Sequence, residues 1–145
     1  MENASSSNLK RYNHLIGEIE ATYHEASLKL GISDSVSMIL YTICNAGGSC
    51  LLNDICKQTG LSKQTVHSAI RKLEAQDFIN LIPVGGKAKK VVFTEKGAVF
   101  AKSTALRLIE IENNIFASWS QEDVQKYLEL TERFLLYLRD RVKTL

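Results

Sequence analysis

The sequence has little punctuation. One proline and eight glycines in 145 residues leave long stretches without a residue that forces a turn, so helix is expected to dominate. Three cysteines, an odd number in no metal-ligand spacing, exclude a disulfide framework and suit the reduced thiols of a cytoplasmic protein. No apolar run approaches the roughly 18 residues of a membrane span, and no basic-then-apolar segment opens the chain. Neither a membrane partner nor a secretory signal is therefore expected. Paired acid and base residues, a phosphate-cradling glycine loop and a nucleophile motif are also missing. An enzyme is accordingly the least favoured class, and no cofactor or metal is expected.

What is present is a hydrophobic share of 45%, enough to bury the core of a single domain over residues 1–145. The net charge of +2 is too weak to imply nucleic acid by itself, but its distribution is uneven. Residues 62–90 hold six basic side chains (Lys63, Arg71, Lys72, Lys87, Lys89, Lys90) against two acidic ones (Glu74, Asp77). Residues 1–61 are slightly acidic and residues 91–145 are balanced. One central positive block is the footprint that a phosphate backbone selects, although a solvated basic face has the same composition.

Apolar periodicity places the elements. Leu9, Tyr12, Ile16, Ile19, Tyr23, Ala26 and Leu30 recur at steps of three and four, a heptad-like stripe along one long helix that Gly31 ends. Ser33 caps a second helix carrying Val36, Ile39, Leu40 and Ile43, and Asn45-Ala46-Gly47-Gly48 terminates it. Residues 51–60 read as a short third helix, and Ser62 caps a fourth that runs to about Gln76. Residues 79–83 and 90–94 look like two strands joined by a glycine-containing hairpin tip. Pro83 suits an edge ribbon because it offers no ladder donor. Thr94 opens one long fifth helix with Val99, Phe100, Leu106, Ile109 and Phe116. Ser120, followed by Asp123, opens the last helix, which carries Val124, Leu128, Thr131, Leu135, Leu138 and Val142 on one stripe. The expected order is four helices, two strands and two helices.

Residues 52–73 carry the function. Ile55 is a core position with the small Cys56 beside it. Gly60 follows where a turn between two closely crossing helices needs positive φ. Val66, Ile70 and Leu73 then form the stripe that holds the next helix on its scaffold. At 100° per residue, Gln64, His67, Ser68 and Arg71 gather on the opposite face. Such side chains suit base edges in a major groove, Arg to guanine and Gln to adenine. Ser62, Lys63 and Thr65 sit at the helix N-terminus, where backbone amides and the helix dipole favour a phosphate. Lys87, Lys89 and Lys90 on the hairpin make a cationic projection able to reach phosphates or an adjacent minor groove.

Residues 33–97 resemble the winged helix of the MarR (multiple antibiotic resistance regulator) family. The resemblance is carried by Leu61-Ser62-Lys63-Gln64-Thr65-Val66, Arg71-Lys72-Leu73-Glu74 and Phe93-Thr94-Glu95-Lys96-Gly97. It implies a mainly α fold with a small two-stranded β wing, a winged helix-turn-helix flanked by dimerisation helices at 9–30 and 98–143. It further implies a homodimer with interlocking terminal helices that reads a pseudo-palindromic operator in double-stranded DNA. A repressor, with a small ligand or a redox signal controlling its release, is the role that goes with this. The family's wing commonly carries Asp-x-Arg; here the stretch is Gly-Gly-Lys-Ala-Lys-Lys, so any wing contact falls to lysines. Asp77 replaces a common glycine at the end of the recognition helix, and Asp tolerates the left-handed region.

The dimer also follows from the stripes themselves. A three-helix core and a wing are too small to cover both Leu9, Tyr12, Ile16 and Ile19 and the last helix's Leu128, Leu135 and Leu138, so a second copy is expected there. Operator half-sites would then lie one DNA turn apart, roughly 34–36 Å. Of the cysteines, Cys56 and Cys44 are expected in the core and Cys50 to be the most accessible. His14 and Glu18, one turn apart with His24 further along, are a weak metal signal that surface polarity explains more simply. A small aromatic ligand between the first, second and fifth helices is the family's pattern, with no lining residue assignable. The competing class is a winged helix that binds protein and has no DNA affinity.

Overall fold

Capping residues set most of the boundaries in the computed structural model, which describes residues 1–145. Helix α1 (Ser7–Leu30) starts where the Ser6 hydroxyl accepts the Leu9 amide and stops at Gly31, whose φ of 72° lets its amide turn back to the Leu28 carbonyl. Helix α2 (Asp34–Asn45) is capped by Ser33. Strand β1 (Ser49–Leu51) leads into α3 (Leu52–Thr59), and α4 (Lys63–Ala75) follows. Strands β2 (Ile79–Gly85) and β3 (Ala88–Phe93) form the hairpin. Helices α5 (Glu95–Ser103), α6 (Ala105–Ser118) and α7 (Gln121–Val142) complete the chain.

The chain divides into two compact units, residues 1–108 and 109–145. In the first, Ile39, Leu40 and Ile43 of α2, Ile55 of α3, Val66, Ile70 and Leu73 of α4, Ile79 of β2 and Val91 of β3 are fully buried against one another. Burying each such side chain contributes about 1.5–3 kcal/mol before conformational entropy is counted. This core fixes the inner face of α4 and so decides which of its side chains face outward. No buried side-chain polar atom lacks a hydrogen-bond partner.

The sheet has three antiparallel strands in the order β1-β3-β2, not the two expected. Ser49, Cys50 and Leu51 pair with Val92, Val91 and Lys90. Three residues are too short for alternation to register, and only the partner strand makes them a strand. Pro83 lies on the edge strand, as its missing amide requires, and the register shifts between Pro83 and Gly85.

The long fifth helix is broken at Thr104, whose backbone (φ −126°, ψ −99°) is not helical. The hydroxyls of Ser103 and Thr104 both donate to the Phe100 carbonyl, at 2.9 and 2.7 Å. Side-chain bonds of this type compete with the helical ladder and bend or end it.

In the second unit, Phe116, Trp119 and Tyr127 meet edge-on or tilted, with ring centroids 5.5–6.2 Å apart. Ser120 caps α7, where its hydroxyl accepts the Asp123 amide. Helix α7 has no buried residue over its 22 positions.

Candidate nucleic-acid interface

The turn between α3 and α4 is built from short-range bonds. Gly60 has φ 67°, and the Thr59 hydroxyl donates to the Ile55 carbonyl while accepting the Leu61 amide. Ser62 then caps α4: its hydroxyl accepts the Thr65 amide at 3.1 Å and donates to the Thr65 hydroxyl at 2.8 Å. With Val66, Ala69, Ile70 and Leu73 buried, the other side of α4 is fixed. Ser62, Lys63, Gln64, Thr65, His67, Ser68 and Arg71 are all exposed. None of the basic side chains of this helix or the hairpin takes part in an ion pair.

The far end of α4 is fastened as firmly. Asp77 adopts φ 62°, the left-handed conformation expected for it. The Thr94 hydroxyl donates to the Asp77 carbonyl at 2.6 Å and accepts the Gly97 amide at 2.9 Å. Lys96 donates to the Gln76 carbonyl at 2.9 Å and lies over the Phe78 ring, which stacks on Phe100 at 4.3 Å. A Cβ on Gly97 would fall 1.7 Å from the Phe78 carbonyl oxygen. The Thr94-Glu95-Lys96-Gly97 segment thus bolts α5 to the turn between α4 and β2. The sequence pattern showed these residues but not this role, because the 76–78 partners are distant in the chain.

On the hairpin, Gly85 and Gly86 take positive φ at the tip, and Lys87, Lys89 and Lys90 are exposed. Lys89 pairs with Pro83, and Lys90 with both Ile82 and Leu51. Being consecutive on one strand, Lys89 and Lys90 project to opposite faces, so one approaching surface does not meet both equally.

An open cleft of about 310 Å³ lies between the start of α2 and α4, lined by Ser33, Ser35, Gln64, Thr65, Ser68 and Lys72 among others. The sequence marks Ser33 only as a helix cap and Lys72 only as one of the basic block, and Ser35 not at all. The spacing of Gln64, Ser68 and Lys72, four residues apart on one helix, was the available signal.

The cysteines do not divide as expected. Cys44, Cys50 and Cys56 are all half-buried against the same core, because β1 draws Cys50 into the sheet. Burial pushes the Cys44 and Cys50 thiols up, and the Asp54 carboxylate adds to the effect at Cys50. Thiols held in their neutral form make slow nucleophiles. His14 lies 4.0 Å from Glu18, while His24 turns to Asp34 at 2.7 Å. The residues weighed as metal ligands are thus split between two pairs, and no group of three or more is brought together.

Residues 30–89 match the model of the MarR family. The likeness to the MarR family is thus carried by 60 of the 145 residues. No curated protein matches the chain. Among solved structures, NMB1585, a MarR family regulator from Neisseria meningitidis, superposes with a TM-score of 0.82 at 17% identity, covering 95% of this chain and 98% of that one. A DNA complex of MepR from S. aureus superposes at 0.67 with 16% identity, over 92% of this chain and 99% of that one. NadR in complex with 4-hydroxyphenylacetate gives 0.71 at 11% identity, over 92% and 96%. At these identities the likeness is one of fold. Within this MarR-type fold α3 and α4 are the helix-turn-helix and β2–β3 the wing. No helix is long and apolar enough to cross a membrane.

Proposed function

We propose that this chain is a sequence-specific DNA-binding transcriptional regulator, a cytoplasmic repressor rather than an enzyme, acting as a homodimer on a pseudo-palindromic operator. The observation that carries the reading is the outer face of α4. Gln64, His67, Ser68 and Arg71 are exposed on a helix whose inner face and both ends are fixed. A rigid helix with a polar, cationic, unpaired face is what base readout in a major groove requires. Ser62, Lys63 and Thr65 at its start, with Lys87, Lys89 and Lys90 on the wing, are the phosphate contacts in this reading. Residues 33–97 act as the DNA-binding core.

Residues 9–30 and 98–143 supply the dimer. Leu9, Tyr12, Ile16 and Ile19 on α1, and Leu128, Leu135 and Leu138 on α7, are large apolar side chains left exposed in one chain. Apolar stripes of this extent on a folded protein belong to an interface. The likeness to NadR, which holds 4-hydroxyphenylacetate, supports a small aromatic ligand as the signal that releases the DNA.

Selection from a random duplex pool at two salt concentrations tests the reading. Enrichment of an inverted repeat is the expected result. A winged helix that serves only as a protein-interaction module would enrich nothing and bind duplex at most weakly.

A further inference from the structure

The exposed side of α4 consists of two neighbouring rows, Lys63, His67 and Arg71 in one and Gln64, Ser68 and Lys72 in the other. The cleft beside the start of α2 is lined by every member of the second row and by none of the first. Ser33 and Ser35 close its far side. The Lys72 ammonium makes no ion pair, and the Gln64 and Ser68 side chains make no hydrogen bond within the chain. The carboxylate nearest in sequence, Asp34, is not part of the lining. Its Oδ2 is held 2.7 Å from His24 Nδ1. A cleft with an unpaired cation and several hydroxyl and amide donors, and no carboxylate on its wall, is a receptor for an anion.

We propose that this cleft seats one backbone phosphate of the bound duplex, with Lys72 supplying the charge and Ser35 and Ser68 the donors. This rests on the regulator reading and refines it. Base readout passes to His67 and Arg71, while Gln64, Ser68 and Lys72 fix the height and tilt of the helix in the groove. Helix α2 thereby becomes part of the DNA surface. A phosphate held between two helices that the core locks together positions the recognition helix more rigidly than lysines on a hairpin tip can.

The test uses the full chain, its selected duplex, and the variants Lys72→Gln, Ser35→Asp and Arg71→Ala. A salt slope of about −0.9 per neutralised phosphate predicts that Lys72→Gln weakens binding about fivefold at 0.15 M salt and flattens the slope by about one unit. The preferred sequence should not change. Ser35→Asp places a carboxylate in the first turn of α2, where it favours the helix. Weaker DNA binding with undiminished thermal stability is therefore expected, a combination that a merely structural role would not produce. One neutral methylphosphonate in the duplex, at the phosphate facing the cleft, should weaken the wild type and leave Lys72→Gln unaffected. That ties the anion to the DNA backbone and not to a free anion in solution.

If Lys72→Gln and Ser35→Asp both bind with wild-type affinity and slope, the proposal is overturned while the regulator reading survives. A changed sequence preference in Lys72→Gln would overturn it too, by making Lys72 a base reader. Failure of the wild type to bind any selected duplex removes the regulator reading and this inference with it.

Discussion

Helices α2 and α7 carry the same kind of apolar stripe and meet opposite fates. Ile39, Leu40 and Ile43 of α2 are 0% exposed, whereas Leu128, Leu135 and Leu138 of α7 stand at 48%, 41% and 50%. Helix α2 is only 12 residues long and is covered by α3, α4 and the sheet, whose side chains join it in one core. Helix α7 runs for 22 residues without burying one. Periodicity therefore reveals that a face needs a cover, but the same pattern serves a cover from within the chain and a cover from another copy. The proposed dimer is the statement that α7, and the stripe of α1, are of the second kind.

Substitutions on the two stripes should separate these cases. Ile39→Ala is expected to cost about 2–5 kcal/mol, as truncations in packed cores do. Its melting temperature should fall equally at all protein concentrations. Leu135→Asp should instead leave a folded chain of about half the native mass, whose lowered melting temperature no longer rises with protein concentration as that of the dimer does. If Leu135→Asp left both mass and melting unchanged, α7 would not be an interface.

Next in size is Gly97→Ala, expected to cost about 1–3 kcal/mol or more, since its methyl must displace the Phe78 carbonyl. DNA affinity should fall further than stability does, because the clash loosens the segment that fixes the end of α4. Arg71→Ala should leave melting unchanged, lose about 1–3 kcal/mol of binding to the selected duplex and blur its preferred sequence. Unaltered sequence preference in that variant would remove Arg71 from the reading face. The smallest effect concerns the thiols. Alkylation of Cys44 and Cys50 at neutral pH should be slow in the folded chain and speed up on unfolding, because burial holds both thiols protonated. Fast alkylation in the native state would contradict this.

Local chemistry was legible in the sequence. The caps at Ser33, Ser62, Thr94 and Ser120 and the left-handed stops at Gly31 and Gly60 lie where spacing put them, because each depends on three or four neighbouring residues. The split of α4 into a buried and an exposed face follows from the same short range. What the pattern did not reveal depends on partners far along the chain. Strand β1 exists only because β3 pairs with it. The break at Thr104 needs two hydroxyls to choose one carbonyl. Cys50 read as the most accessible thiol because it follows a glycine turn, and that same β1 pairing covers it. The cleft beside Lys72 requires α2 and α4 to be brought together by the core.

The most direct measurement is the mass of the complex formed with the selected duplex, by light scattering of the full chain with and without DNA. The account predicts a free protein near twice the 16.2 kDa of one chain, and two chains on each inverted-repeat duplex. A monomer that stays monomeric on the DNA, or one that binds no duplex, would contradict it.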